Sequence, residues 1–186
     1  RDGIEVGNDV AIETNPLGRL VGGDYLMPVV MTYERHAITK ELGNVMTMFP
    51  VVRSVQVAKE LPPGITAQGL AMTSTESWAE TDLKALHEGQ TAFDPDSDRR
   101  GPISIAAVAT IGADKSGTSA STSESSEQPE PEKSATPHAA RLVVFGDSEF
   151  ANNNLFPVQG NGNLFLNTVS WLAEEEDLIA IRQRKG

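Results

Sequence analysis

The chain contains no cysteine. That excludes disulfide scaffolds, cysteine nucleophiles and Cys-based zinc or iron–sulfur sites. It leaves the redox compartment open, because a bacterial cytosol and a periplasm both accommodate such a chain. No stretch approaches the ~18 consecutive apolar residues of a membrane span, and no signal peptide is visible. Basic residues are scarce: 15 Lys+Arg stand against 26 Asp+Glu, giving a formal net charge of −11 and a pI near 4.7. That balance excludes nucleic-acid binding through a basic stripe, which would have to displace phosphate counterions. It equally excludes docking of the folded surface on anionic lipid.

The 186 residues suit one domain, at roughly 100–200 residues per domain. They can bury a core without disulfides or metal, which become necessary only below about 70–80 residues. Apolar residues make up 39%, and part of the shortfall against a typical ~45–50% sits in one segment. Residues 113–138 (ADKSGTSASTSESSEQPEPEKSATPH) are dominated by Ser, Thr, Glu and Pro, with only alanine as a weakly apolar side chain. Such a stretch buries too little surface to offset its ordering entropy, so it is expected to be a disordered loop. The runs beside it, Ile103–Ile111 (ISIAAVATI) and Arg141–Phe145 (RLVVF), are short and branched, and read as buried strands. The loop is therefore expected to link two strands of one sheet inside a single domain, 1–186.

Further strands are expected over Leu26–Tyr33, with Pro28 marking an edge or bulge, and over Val51–Val57, Thr66–Thr73 and Leu178–Arg182. The clearest helix is Asn163–Glu175 (NLFLNTVSWLAEE), entered through Gly160 and Gly162, with Asn161 or Asn163 as cap. Leu164, Phe165, Val169, Leu172 and Ala173 form its expected core-facing stripe. The acidic run Glu174–Asp177 is at the wrong end for the helix dipole, so the helix is expected to stop within it. Shorter helices are expected after Asp147 and over Ala37–Leu42. Strand 141–146, helix 163–175 and strand 178–182 then compose a βαβ unit. The fold class expected is α/β, a mostly parallel open sheet with flanking helices. The loop 146–162 would emerge at the carboxyl end of a strand, where such sheets bind ligands.

That loop holds the candidate ligand-binding residues: Gly146, Asp147, Ser148, Asn152 and Asn153. The Gly146-Asp147-Ser148 triplet after an apolar strand resembles the nucleophile segment of GDSL-type hydrolases, whose serine depends on a histidine base. The three histidines here, His36, His87 and His138, all precede Ser148, and none stands in a DxxH setting. The other reading of the triplet is a turn, with Gly146 free to take positive φ and Asp147 or Ser148 capping backbone N–H groups. Asp147, Glu149 and Asn152–Asn154 offer oxygen donors suited to Ca²⁺ or Mg²⁺, but in the spacing of no metal loop. Gly22-Gly23-Asp24 is turn-like and lacks a nucleotide-binding pattern. No catalytic residue, metal or cofactor is therefore assigned. Trp78 and Trp171 are expected to be packing residues.

Several segments together resemble the extracytoplasmic domain of gliding-motility-type ABC transporter auxiliary proteins. The stretch 141–182 (RLVVFGDSEFANNNLFPVQGNGNLFLNTVSWLAEEEDLIAIR) is similar to that family's GDS turn and its NTVNWLA–EEDLI helix–strand segment. GIEVGND at 3–9, YERHAITK at 33–40 and STESWAETDL at 74–83 are similar to other family signatures. Gln183 departs from a common proline, and the family's N-terminal strands and membrane anchor are absent.

The resemblance implies a flavodoxin- or glutamine-amidotransferase-like domain without catalytic residues, here as an N-terminally truncated piece of a longer membrane protein. It implies a binding or scaffolding role on the periplasmic side of the inner membrane. The partners would be an ABC-2-type permease, its ATPase, or another copy of the domain, with membrane contact only through missing flanking helices. Sensing of a glycan or small ligand at the strand ends is the alternative, with a GDSL-type hydrolase using Ser148 behind it.

Overall fold

A computed structural model describes residues 2–16, 20, 24–112, 139–175 and 179. The segment 113–138, with His138, and all of 178–182 except Ile179 lie outside the described residues, as do Gly22 and Gly23. The described strands are β1 (Ile4–Val6), β2 (Val10–Ile12), β3 (Val29–Val30), β4 (Thr32–Tyr33), β5 (Thr47–Met48), β6 (Val55–Val57), β7 (Ile65–Met72), β8 (Trp78–Glu80), β9 (Arg99–Arg100), β10 (Ser104–Ile111) and β11 (Ala140–Phe145). Among the described residues the helical elements are α1 (Leu83–His87) and α2 (Asn161–Leu172), with a 3-10 turn at Glu149–Ala151.

The expected parallel α/β sheet does not form. Every strand pairing among the described residues is antiparallel, so the flavodoxin-like architecture implied by the resemblance is replaced by four small antiparallel sheets. The largest has the order β11-β10-β7-β4. β10 and β11, on either side of 113–138, pair directly from Ala106↔Phe145 to Ile111↔Ala140. Both apolar runs form strands, but only β10 is buried; β11, at the sheet edge, is half-buried or exposed throughout, and an apolar run does not report strand direction. β10 is buried because it is central, with β11 and β7 on its two edges and the β1–β6 ribbon packed against it. Its alanines at 106, 107 and 109 are fully or nearly fully buried. The same close packing suits either direction of strand, so the βαβ reading of 141–182 had no discriminating signal behind it.

Short strands follow their partners more than their own sequence. The run 26–33 divides at Met31 into β3, which pairs with β5, and β4, which pairs with β7. In 51–57 only Val55–Val57 is strand: Val51 takes a left-handed φ of 50°, and the backbone of 52–54 bonds in turn to Ala11, Gly146 and Gly7. Ala37–Leu42 forms linked turns in place of a helix, opened by the Ile38 N–H donating to His36 Nδ1. The helix α1 was not anticipated. Its cap is Asp82, whose carboxylate accepts from Lys84 and Ala85 N–H.

One core joins these layers. Phe49, Phe145 and Phe150 stack together, at 5.1 Å between Phe49 and Phe150 and 4.7 Å between Phe145 and Phe150. Around them pack Val30, Ile38, Leu42, Val52, Leu70, Ile105, Leu164 and Ile179.

Candidate functional site

The segment after β11 begins with a tight backbone junction. Gly146 N–H donates to the Ile105 carbonyl, and Arg53 N–H donates to the Gly146 carbonyl. A Cβ at 146 would stand 1.9 Å from the Arg53 carbonyl oxygen. Gly146 is therefore explained by the close approach of two chains.

The next residues cap their own turns. Asp147 accepts from Glu149 N–H at 2.7 Å and Phe150 N–H at 3.0 Å, which sets the 3-10 turn and directs Phe150 into the core. Burial pushes the Asp147 carboxyl above its usual 3.8, against the pull of those N–H groups. Asn152 accepts in the same way from Asn154 and Leu155 N–H. Ser148 and Asn153 are exposed. Of the candidate ligand-binding residues, three are thus occupied in shaping the loop, and the two others face solvent. Of the histidines, His36 packs edge-on against Trp171, with ring centres 4.9 Å apart, and His87 ends α1. Among the described residues no group of three or more His, Asp or Glu could hold a metal ion.

The helix α2 is positioned by polar side chains. Leu164, Asn167, Thr168 and Trp171 recur at i, i+3, i+4 and i+7 and form its buried face. Asn167 Nδ2 donates to the Ile38 carbonyl at 3.0 Å, and Thr168 Oγ1 to the Leu164 carbonyl at 2.8 Å. The Arg141 guanidinium lies 4.8 Å over the Trp171 ring and donates to its carbonyl. Trp171 is 5% exposed, a packing residue as expected. Trp78 donates to Glu80 and meets Phe93 edge-on.

The expected core stripe of this helix is rotated. Leu164 is fully buried, but Phe165, Val169 and Leu172 are 37%, 46% and 42% exposed. These three recur at i, i+4 and i+7 and so share one face. Phe165 reaches back to Phe150 and Phe156, at 6.4 and 6.1 Å, which ties the exposed stripe to the loop 146–160. The helix itself carries no charged residue. Regular helix ends at Leu172, before the acidic run, and closes through Glu174 at φ 61°.

A separate open cleft lies elsewhere. About 880 Å³ of open space is lined by Glu80, Asp82, Ala85, Gln90, Thr91 and Asp94 among others. Its buried carboxylate, Glu80, is engaged by Trp78, Thr91 and Asp82 N–H, so its polar groups serve the local fold. The sequence pattern points to the loop as the site and to the helix stripe as core. The signal that could have exchanged them was the uncharged outer face of 161–172.

No protein-family model, curated protein or solved structure matches the chain.

Proposed function

We propose that the chain is a non-catalytic binding or scaffolding domain that works through the outer face of α2. One observation carries this reading: Phe165, Val169 and Leu172 stand exposed along one side of an uncharged helix, while Asp147, Asn152, Asn161 and Asn167 nearby are engaged in caps and clamps. A soluble surface normally charges such a helix face, and an apolar one is the mark of an interaction site. The resemblance of 141–182 supplies the setting proposed for it. That setting is the periplasmic side of a membrane-anchored auxiliary protein, with an ABC-2-type permease and its ATPase as partners. The reading is supported by chemistry and not by shape, since the fold departs from the one the resemblance implied.

The test uses the full-length protein expressed with the permease and ATPase subunits encoded alongside it. The three should purify together, and Val169→Lys should break the complex while the thermal midpoint holds. No complex in either case overturns the reading. So does an esterase turnover on short acyl substrates that disappears in Ser148→Ala, which would make Ser148 the nucleophile of an enzyme.

A further inference from the structure

The outer face of α2 is apolar along its length and acidic at both ends. At one end Phe165 meets Phe150, and Phe150 is preceded by Asp147 and the exposed Glu149. At the other, Leu172 is followed by exposed Glu174 and Glu175. Two exposed carboxylates, Glu149 and Glu175, therefore stand at the two ends of the stripe, while Asp147 is taken by the N–H groups of its own turn and Glu174 lies 3.9 Å from Arg141. Phe165 to Leu172 spans about 10 Å of helix, at 1.5 Å per residue, or two turns of a partner.

We infer that this face receives an amphipathic helical segment of a partner protein, apolar over about two turns and flanked by Lys or Arg on both sides. The inference rests on the binding role proposed above and specifies its partner. Charge complementarity decides the occupant. A second copy would bring the same acidic ends together on a chain already at −11, and anionic lipid would meet the same repulsion. A basic-flanked helix gains at both ends while covering the stripe, in the manner of helix-on-groove recognition. Three side chains make a small contact, so binding is weak, with Kd on the order of 10–100 μM.

The probe is a labelled synthetic helix of Leu and Lys, with Leu at i, i+3, i+4 and i+7, titrated with the intact chain and read by fluorescence anisotropy. Salt is held at about 0.15 M, where charges beyond roughly 8 Å are screened. Saturable binding is expected. Val169→Lys should weaken it at least ~10-fold and Glu175→Lys about 3-fold, both with unchanged thermal midpoints. Asp96→Lys, an exposed charge in another loop, should bind as the parent does.

Equal loss from Asp96→Lys and Glu175→Lys would reduce the effect to net charge and overturn the inference. So would preference for a Leu/Glu peptide, binding to zwitterionic vesicles in place of the peptide, or self-association abolished by Val169→Lys. If the transporter complex still depends on Val169 while the peptide does not bind, the partner chemistry fails and the binding role stands. If neither depends on Val169, both fail.

Discussion

Asn161 and Met48, 113 positions apart, hold each other by two hydrogen bonds: Met48 N–H donates to Asn161 Oδ1 at 2.8 Å, and Asn161 Nδ2 donates to the Met48 carbonyl at 3.0 Å. The side-chain amide thus acts as a further strand residue beside β5, and its second N–H reaches the Phe150 carbonyl at 3.0 Å. One residue fixes the start of α2 to a strand and to the loop after β11. Asn161→Leu would leave these three backbone groups unpaired in a buried site. Each buried group left without a partner costs about 1–3 kcal/mol, so a loss of roughly 3–5 kcal/mol is expected after partial relaxation. Urea unfolding would measure it as a lowered midpoint at constant slope.

The two faces of α2 should respond differently to truncation. Leu164 is fully buried in the common core, and Leu164→Ala should cost about 2–5 kcal/mol. Leu172 is 42% exposed, and Leu172→Ala should stay within about 1 kcal/mol. Thermal unfolding of the pair gives the comparison directly. Similar losses at both positions would return the stripe to the core and remove the surface on which the proposed role depends.

This helix also shows where the sequence was legible and where it was not. Its extent was readable from period and flanking glycines to within two or three residues. Its orientation was not, because Asn161, Asn167 and Thr168 face inward, each answered by a hydrogen bond. A hydropathy pattern scores those residues as outward and pulls the stripe round to Phe165 and Val169. The long strands 104–111 and 140–145 were legible for a similar local reason, as branched runs bounded by polar ones. Strand direction was not, since residue type is indifferent to it. Pairs such as Val29–Val30 with Thr47–Met48 exist through their partners alone. In the loop 146–153, the capping alternative for Asp147 was already visible in the sequence. The junction that requires Gly146 was not, because Arg53 is brought there only by the fold.

Tyr33 gives a pH-dependent prediction. Its hydroxyl sits 2.8 Å from the Val45 carbonyl, 3.1 Å from the Val30 carbonyl and 2.9 Å from the Thr47 hydroxyl. Burial pushes its pKa up from 10.0 to about 12, with the Thr47 contact pulling slightly the other way. A folded pKa above the unfolded one means that the native state favours the protonated phenol. The associated stability is complete below pH 10 and is lost as pH rises through about 12. Of the two tyrosines, this one should ionise near 12 by near-ultraviolet absorbance. Tyr33→Phe should flatten the stability profile across that window.

The junction at Gly146 should tolerate no side chain. In Gly146→Ala the new methyl would stand 1.9 Å from the Arg53 carbonyl oxygen, which is backbone and cannot swing aside. The contact between β11's end and the 51–55 segment would have to open, with an expected loss of about 2–4 kcal/mol. Ser148→Ala and Asn153→Ala, both at exposed positions, should change stability by less than about 0.5 kcal/mol. Denaturant midpoints for the three variants separate a structural glycine from a loop built to hold a ligand.

Val51 should be a site of gain. It is β-branched, 53% exposed, and held at φ 50°, where Cβ crowds the following carbonyl at a cost of about 1–2 kcal/mol. Its N–H donates to the Leu26 carbonyl at 2.7 Å, so the turn is fixed by the backbone and not by the side chain. Val51→Gly keeps that hydrogen bond and removes the crowding. Glycine's extra freedom in the unfolded chain takes back roughly 0.5–1 kcal/mol. The net gain expected is about 0.5–1 kcal/mol, equivalent to a rise of a few degrees in Tm for a domain of this size. Val51→Ile, with the same branching, should show no gain. A Tm that falls in Val51→Gly would mean that the valine side chain contributes packing larger than its backbone strain.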